Sequence, residues 1–182
     1  MPIVPDDKDW TWVLERPCPE CGYTAADLDH HDVADGLRTN AAQWRALLAD
    51  PAVAVRPDDD HWSALEYGCH VRDVFRRFVG RLGVMLAEDD PTFENWDQDA
   101  TAREDRYGEQ DPAVVTAELE VAGAELAAAF DAVPVDAWLR TGTRSDGARF
   151  TVATLGRYLL HDPVHHVWDV ETGYAALTAA SA

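Results

Sequence analysis

Two histidines four residues apart on a helix project from the same face and can grip one metal ion. The segment Leu160-His161-Asp162-Pro163-Val164-His165-His166-Val167-Trp168-Asp169 offers that spacing in His161 and His165. Pairs so spaced often arise by chance, so a third imidazole matters. His70 lies within the apolar stripe Tyr67, Val74, Phe78, Leu82 and Met85 of an earlier helical segment. Facing helices of a bundle are where such sites are assembled. Three neutral imidazoles around a divalent ion leave one position open, the arrangement of a catalytic zinc site. His70, His161 and His165 are therefore the candidate ligands. Asp73 and Asp169 are candidates to accept the distal ring N–H groups and fix the tautomers. The plainer reading makes His70 a hydrogen-bonded core histidine and the others surface residues. His166 sits about 100° around the helix from His165 and is expected outside the ligand set, beside a neighbouring helix. Pro163 removes one helical hydrogen bond and crowds the Leu159 carbonyl, a cost of about 3 kcal/mol. The expectation is a helix that bends without breaking.

Cys18-Pro19-Glu20-Cys21-Gly22 is a second constellation, half of a zinc-knuckle pattern. A closed site needs two more ligands, and His30 and His31 are near in sequence. A free dithiol, a redox pair and a plain turn are the alternatives; no βαβ pattern supports a thioredoxin-type motif. Cys69 is expected to be a small core residue. Trp138, Arg140, Arg144 and Arg149 surround an Asp146-Gly147 turn. If that loop overhangs the metal, its guanidinium groups can bind a carboxylate; otherwise they balance an acidic surface.

The elements that must position these residues are helical. Residues 1–23, punctuated by proline and glycine, read as an irregular arm pinned to the body by Trp10 and Trp12. Thr24 with Asp27 resembles a capping box for a first helix carrying Val33, Leu37, Ala41, Trp44 and Leu48, ended by Pro51. Ser63 with Glu66 is a Ser-x-x-Glu box for the second helix. Residues 89–110 are acidic and aperiodic, a long loop. Asp111-Pro112 starts a third helix with Val115, Leu119, Ala122, Leu126 and Phe130 on one stripe. Asp146-Gly147 marks a small hairpin, and Thr151 caps a fourth helix running towards Gly173. The pattern predicts an all-α four-helix bundle with a long crossover loop, spanning 24–175, and a flexible tail at 176–182.

The 182 residues suit one domain. With 34 acidic against 15 basic residues the formal net charge is -19. Such a field repels phosphate backbones and anionic lipid heads, which argues against nucleic-acid and membrane-surface partners. No apolar run approaches the ~18 residues of a membrane span, and Met1–Trp10 lacks the pattern of a signal peptide. Three cysteines are too few for a disulfide scaffold. A cytoplasmic protein is expected.

Trp62-Ser63-Ala64-Leu65-Glu66-Tyr67-Gly68-Cys69-His70-Val71-Arg72-Asp73 resembles the start of the second helix in the DinB-like (YfiT-like) metalloprotein superfamily. The segment from Leu160 to Asp169 resembles that superfamily's last ligand helix, and the similarity covers roughly residues 24 to 173. The resemblance implies a four-helix bundle with a three-histidine site for zinc or nickel, carried here by His70, His161 and His165. It also implies relatives acting on low-molecular-weight thiols, such as mycothiol-dependent maleylpyruvate isomerase and S-transferases using mycothiol or bacillithiol. The expected function is accordingly a metal-dependent thiol transferase, or thiol-dependent isomerase, acting on a small-molecule substrate. A divalent metal, zinc ahead of nickel, and a low-molecular-weight thiol are the expected cofactors. The rival is a non-catalytic metal- or small-molecule-binding bundle. A homodimer is expected, with Trp44, Trp96 or the N-terminal tryptophans lining its contact.

Overall fold

A computed structural model describes residues 9–180; residues 1–8 of the expected arm and 181–182 of the expected tail lie outside them. The helix starts follow from their capping chemistry. The Ser63 Oγ accepts from the Glu66 N–H at 3.3 Å, and the Glu66 carboxylate accepts from the Ser63 N–H at 2.9 Å. This reciprocal box opens α2, Ala64–Ala87, and Arg56 clamps the same carboxylate. Asp111 accepts from the Ala113 N–H at 2.8 Å, with Pro112 at the first position of α4, Pro112–Asp131. Thr151 Oγ1 accepts from the Thr154 N–H at 3.1 Å and opens α5, Val152–Ala180. α1 spans Val33–Leu47, and a short α3 spans Gln98–Glu104.

Each of α1 and α2 packs on both α4 and α5. The consecutive helices α1 and α2 therefore sit at opposite corners of the bundle, and α4 fills the angle between them. The apolar stripes read from the sequence face inwards: Leu37, Trp44, Val74, Leu82, Leu119 and Leu126 are buried. Each such side chain stabilises by about 1.5–3 kcal/mol relative to exposure. Gly123 of α4 lets α1 approach closely; a Cβ there would stand 2.8 Å from the Ala41 Cβ. No described helix is long and apolar enough to cross a membrane.

Four sequence expectations are corrected. Thr24 makes no side-chain cap bond, and residues 24–32 form short 3-10 turns before α1 begins at Val33. Residues 89–110 are not a plain loop: they hold β1, Thr92–Phe93, then α3 and a 3-10 turn at Tyr107–Glu109. β1 runs parallel to β2, Thr141–Arg144, which pairs antiparallel with β3, Arg149–Thr151. The expected hairpin is thus the outer part of a three-stranded sheet. α5 passes Gly173 and reaches Ala180. Glycine there costs about 1 kcal/mol, and the bond from the Tyr174 hydroxyl to the Leu47 carbonyl, 2.7 Å, ties this stretch to the end of α1. Finally, Trp44 is fully buried and unable to line a contact with a second chain.

Candidate metal centre

α5 is continuous through Pro163. Asn40 donates to the Pro163 carbonyl at 2.8 Å and accepts from Trp44 Nε1 at 3.1 Å, so a buried side-chain relay braces the helix there. His161 and His165 remain on one side, their ring centroids 5.2 Å apart. Asp162 and His166 have the same spacing one residue further on and face a different direction.

The structure divides the expected triad between these two flanks. On one flank, donor atoms of His161 and His165 gather with those of Cys18 and Cys21, all within 4.8 Å of one another. Cys18 Sγ lies 3.6 Å from His165 Nδ1. The N-terminal arm brings the cysteines there: its Tyr23 hydroxyl donates to the Arg157 carbonyl of α5 at 2.6 Å. Trp10 packs on both imidazoles, with centroids 5.4 and 5.2 Å away. Burial, and next the neighbouring His165, push His161 down to about 4, so the ring is neutral at pH 7. Burial pushes the Cys21 thiol up to about 11. His30 and His31, the expected partners of the cysteines, instead pack against each other and edge-on to Trp138.

On the other flank, His70 gathers with Asp162 and His166, again within 4.8 Å. His70 Nε2 and His166 Nε2 lie 3.5 and 3.7 Å from Asp162 Oδ1. A tetrahedral ion with bonds of 2.0–2.1 Å separates its ligands by about 3.3–3.4 Å, so these three donors are spaced as a metal requires. Both ring nitrogens of His70, and Asp162 Oδ1, are buried without a hydrogen bond. A buried polar atom left unmatched costs about 1–3 kcal/mol, which a bound ion would remove for His70 Nε2 and Asp162 Oδ1. Burial raises the Asp162 carboxyl, but His166 and His70 outweigh it and hold it low, as a carboxylate. The opposite nitrogen of His166, Nδ1, stands 2.8 Å from Asp169, a carboxylate that fixes which nitrogen faces inwards. Trp96 stacks flat on His70 at 5.3 Å, and Trp62 closes in at 5.4 Å.

His166 therefore belongs to a donor cluster, contrary to expectation, and Asp162 was overlooked as a donor. The available signal was the Asp162/His166 pair, at the same i, i+4 spacing as the histidines. Asp73 does not support His70; it accepts from the Tyr107 hydroxyl at 2.6 Å and from Arg72 at 2.8 Å. Asp169 serves His166 more closely than His165, from which it stands 3.8 Å. Cys69 is buried against the Tyr107 carbonyl, and burial raises its thiol to about 12, as suits a core residue.

Asp162 and His166 open onto a cavity of about 1160 Å³, which His161 and His165 also line. Tyr67, Trp62, Trp96 and Tyr158 form apolar parts of its wall, and Asp60, Asp97, Asp99 and Asp146 add negative charge. Of the four loop residues proposed as an overhang, only Arg144 reaches it, and its guanidinium is engaged by Asp146 at 2.8 Å and by the Tyr158 hydroxyl at 3.0 Å. Arg140 caps the end of α2 through the Met85 and Glu88 carbonyls, and Arg149 pairs with Asp90.

Residues 34–170 match the family model of the DinB superfamily. Among solved structures, YfiT from Bacillus subtilis, described as a probable metal-dependent hydrolase with an unusual four-helix bundle topology, aligns with a TM-score of 0.69. Identity is 18%, over 82% of this chain and 86% of that one, a likeness of fold. No curated protein matches the sequence. The matched residues include His70 and the whole donor-bearing part of α5, but Cys18 and Cys21 precede them.

Proposed function

The chain belongs to the DinB superfamily, and on that premise we propose that it is a metal-dependent enzyme whose divalent ion is held by His70, Asp162 and His166 at the cavity wall. One observation carries this reading: His70 Nε2 and Asp162 Oδ1, both buried and unmatched, stand 3.5 Å apart at ligand spacing beside the cavity. Three protein donors leave a coordination position free, and a divalent ion there supplies Lewis-acid chemistry, lowering the pKa of a thiol or water. The residues around it do the rest. Asp169 holds His166 in the ligating tautomer. Trp96 and Trp62 shield His70 from water. The wall of Tyr67, Trp62 and Trp96 takes the apolar part of a small molecule.

The lining carboxylates and the already paired Arg144 disfavour an anionic substrate. The substrate, and any thiol that attacks it, is accordingly neutral or cationic. Thiol transfer to a small electrophile, or thiol-dependent isomerisation, is the reaction favoured here; hydrolysis is the rival, since YfiT is described as a probable hydrolase. The reading includes zinc as the ion, a cytoplasmic setting and a homodimer. Reduced surroundings suit the three cysteines, all of which are free. The test incubates zinc- or nickel-loaded protein with neutral and anionic low-molecular-weight thiols and a panel of electrophiles, beside ester and amide substrates. Consumption of a neutral thiol, abolished in His70→Ala, is the expected result. Turnover of esters or amides without any thiol moves the assignment to hydrolysis. Turnover unchanged in His70→Ala removes the metal site from the mechanism.

A further inference from the structure

We propose that Cys18, Cys21, His161 and His165 form a second, closed zinc site that fastens the N-terminal arm to α5. It shares no ligand with the cavity cluster and does not rest on the function proposed above.

The geometry is that of a tetrahedral ion. With Zn–S near 2.3 Å and Zn–N near 2.0–2.1 Å, a sulfur and a nitrogen ligand stand about 3.6 Å apart. Cys18 Sγ and His165 Nδ1 are separated by 3.6 Å, and donor atoms of all four residues lie within 4.8 Å of one another. His161 Nε2 is buried without a hydrogen-bond partner. The other nitrogen of His165, Nε2, faces Glu20 at 3.5 Å and Asp169 at 3.8 Å. Those carboxylates keep its proton on Nε2 and leave the Nδ1 lone pair aimed at the cysteines.

The turn is shaped for the task. Gly22 has φ +74°, which an L side chain adopts only with strain. Its N–H donates to the Cys18 carbonyl at 3.0 Å, and the Cys18 N–H donates to the Tyr23 carbonyl at 2.8 Å. Two thiolates and two imidazoles select zinc among common divalent ions. Binding sends the two thiol protons to solvent and leaves no position for substrate, so this ion is structural. Cys18, His161 and His165 are buried, and the rings of Trp10, Trp12 and Tyr23 enclose His161. Asp9, Trp10 and Glu20 of the same arm line the cavity, so the ion holds one of its walls in place.

The test uses full-length reduced protein purified without chelator. Zinc content, zinc X-ray absorption and the spectrum of the cobalt(II)-substituted wild type are measured. Expected are two equivalents of zinc per chain, a sulfur shell near 2.3 Å, and a sulfur-to-cobalt charge-transfer band with tetrahedral visible bands. Cys18→Ser with Cys21→Ser should lose one equivalent and the band, while His70→Ala should lose one equivalent and keep the band. If the double variant does not fold, the wild-type spectra decide. A single ion with sulfur neighbours upholds this site and counts against the cavity site. Zinc with only nitrogen and oxygen neighbours, or no bound metal, overturns it.

Discussion

On one flank of α5, His161 and His165 face two cysteines and a lid of aromatic rings. On the other, Asp162 and His166 face His70, and all four of these α5 side chains line the wide cavity. Both pairs have the same spacing, and one helical step separates them. What differs is the partner each flank meets. The arm brings two soft sulfur donors, whereas α2 brings one imidazole, so the other cluster offers three donors. Spacing on a helix supplies a pair of donors; the element packed opposite decides whether the pair staples or reacts.

The largest test of this contrast removes the two thiols from the cysteine flank. An ion present at about 1,000 times its dissociation constant stabilises by about 4 kcal/mol. For a chain of this size that is about 8–16 °C in melting temperature. Cys18→Ser with Cys21→Ser is expected to lower the melting temperature by that amount, measured by calorimetry with zinc present. A drop equalled by His70→Ala would erase the distinction. Next in size, His70→Ala is expected to cut kcat/KM about 100-fold or more, equivalent to about 2.7 kcal/mol, with a smaller thermal shift. Steady-state kinetics beside melting curves reads both effects.

Asp169 sharpens the contrast, because it stands 2.8 Å from His166 but 3.8 Å from His165. Asp169→Asn is expected to weaken metal binding about 10- to 100-fold at the cavity cluster, and less at the sulfur-containing one. Competition with a chelator, followed on the cobalt–sulfur band and on total metal, separates the two. Equal losses would mean that Asp169 supports both clusters alike. The smallest effect, about 1 kcal/mol, lies away from both flanks. Burial raises the Asp73 carboxyl, but Arg72 and the Tyr107 hydroxyl outweigh it, so its folded pKa is lowered. Its stabilisation is therefore full above the unfolded value of about 3.9 and lost as pH falls through the lower folded value. Acid unfolding should be shallower in Asp73→Asn, and equally so with and without metal. A metal-dependent difference would tie Asp73 to His70 after all.

The helices of the bundle were legible because their signals are local. The Ser63/Glu66 box, the Asp111-Pro112 start and the buried stripes each lie within one segment. Thr24 misled because its residue type suits a cap, yet 3-10 turns follow it and α1 starts at Val33. β1 was illegible: two residues pair with Thr143 and Arg144 far along the chain, and nothing nearby announces them. The same limit governed the site. His161 and His165 could be paired by spacing, but their partners come from a segment remote in sequence, as does the contact of His70 with Asp162. Short-range periodicity says which side chains share a face, and only packing says what that face meets.

The contact between Cys18 and His165 joins positions 147 residues apart. A ribosome adding roughly 5–20 residues per second delivers the cysteines roughly 7–30 s before that histidine. For that interval the nascent chain carries two thiols whose partners do not yet exist. The arm can settle only after α5 has emerged, so its docking belongs to the last stage of biosynthesis.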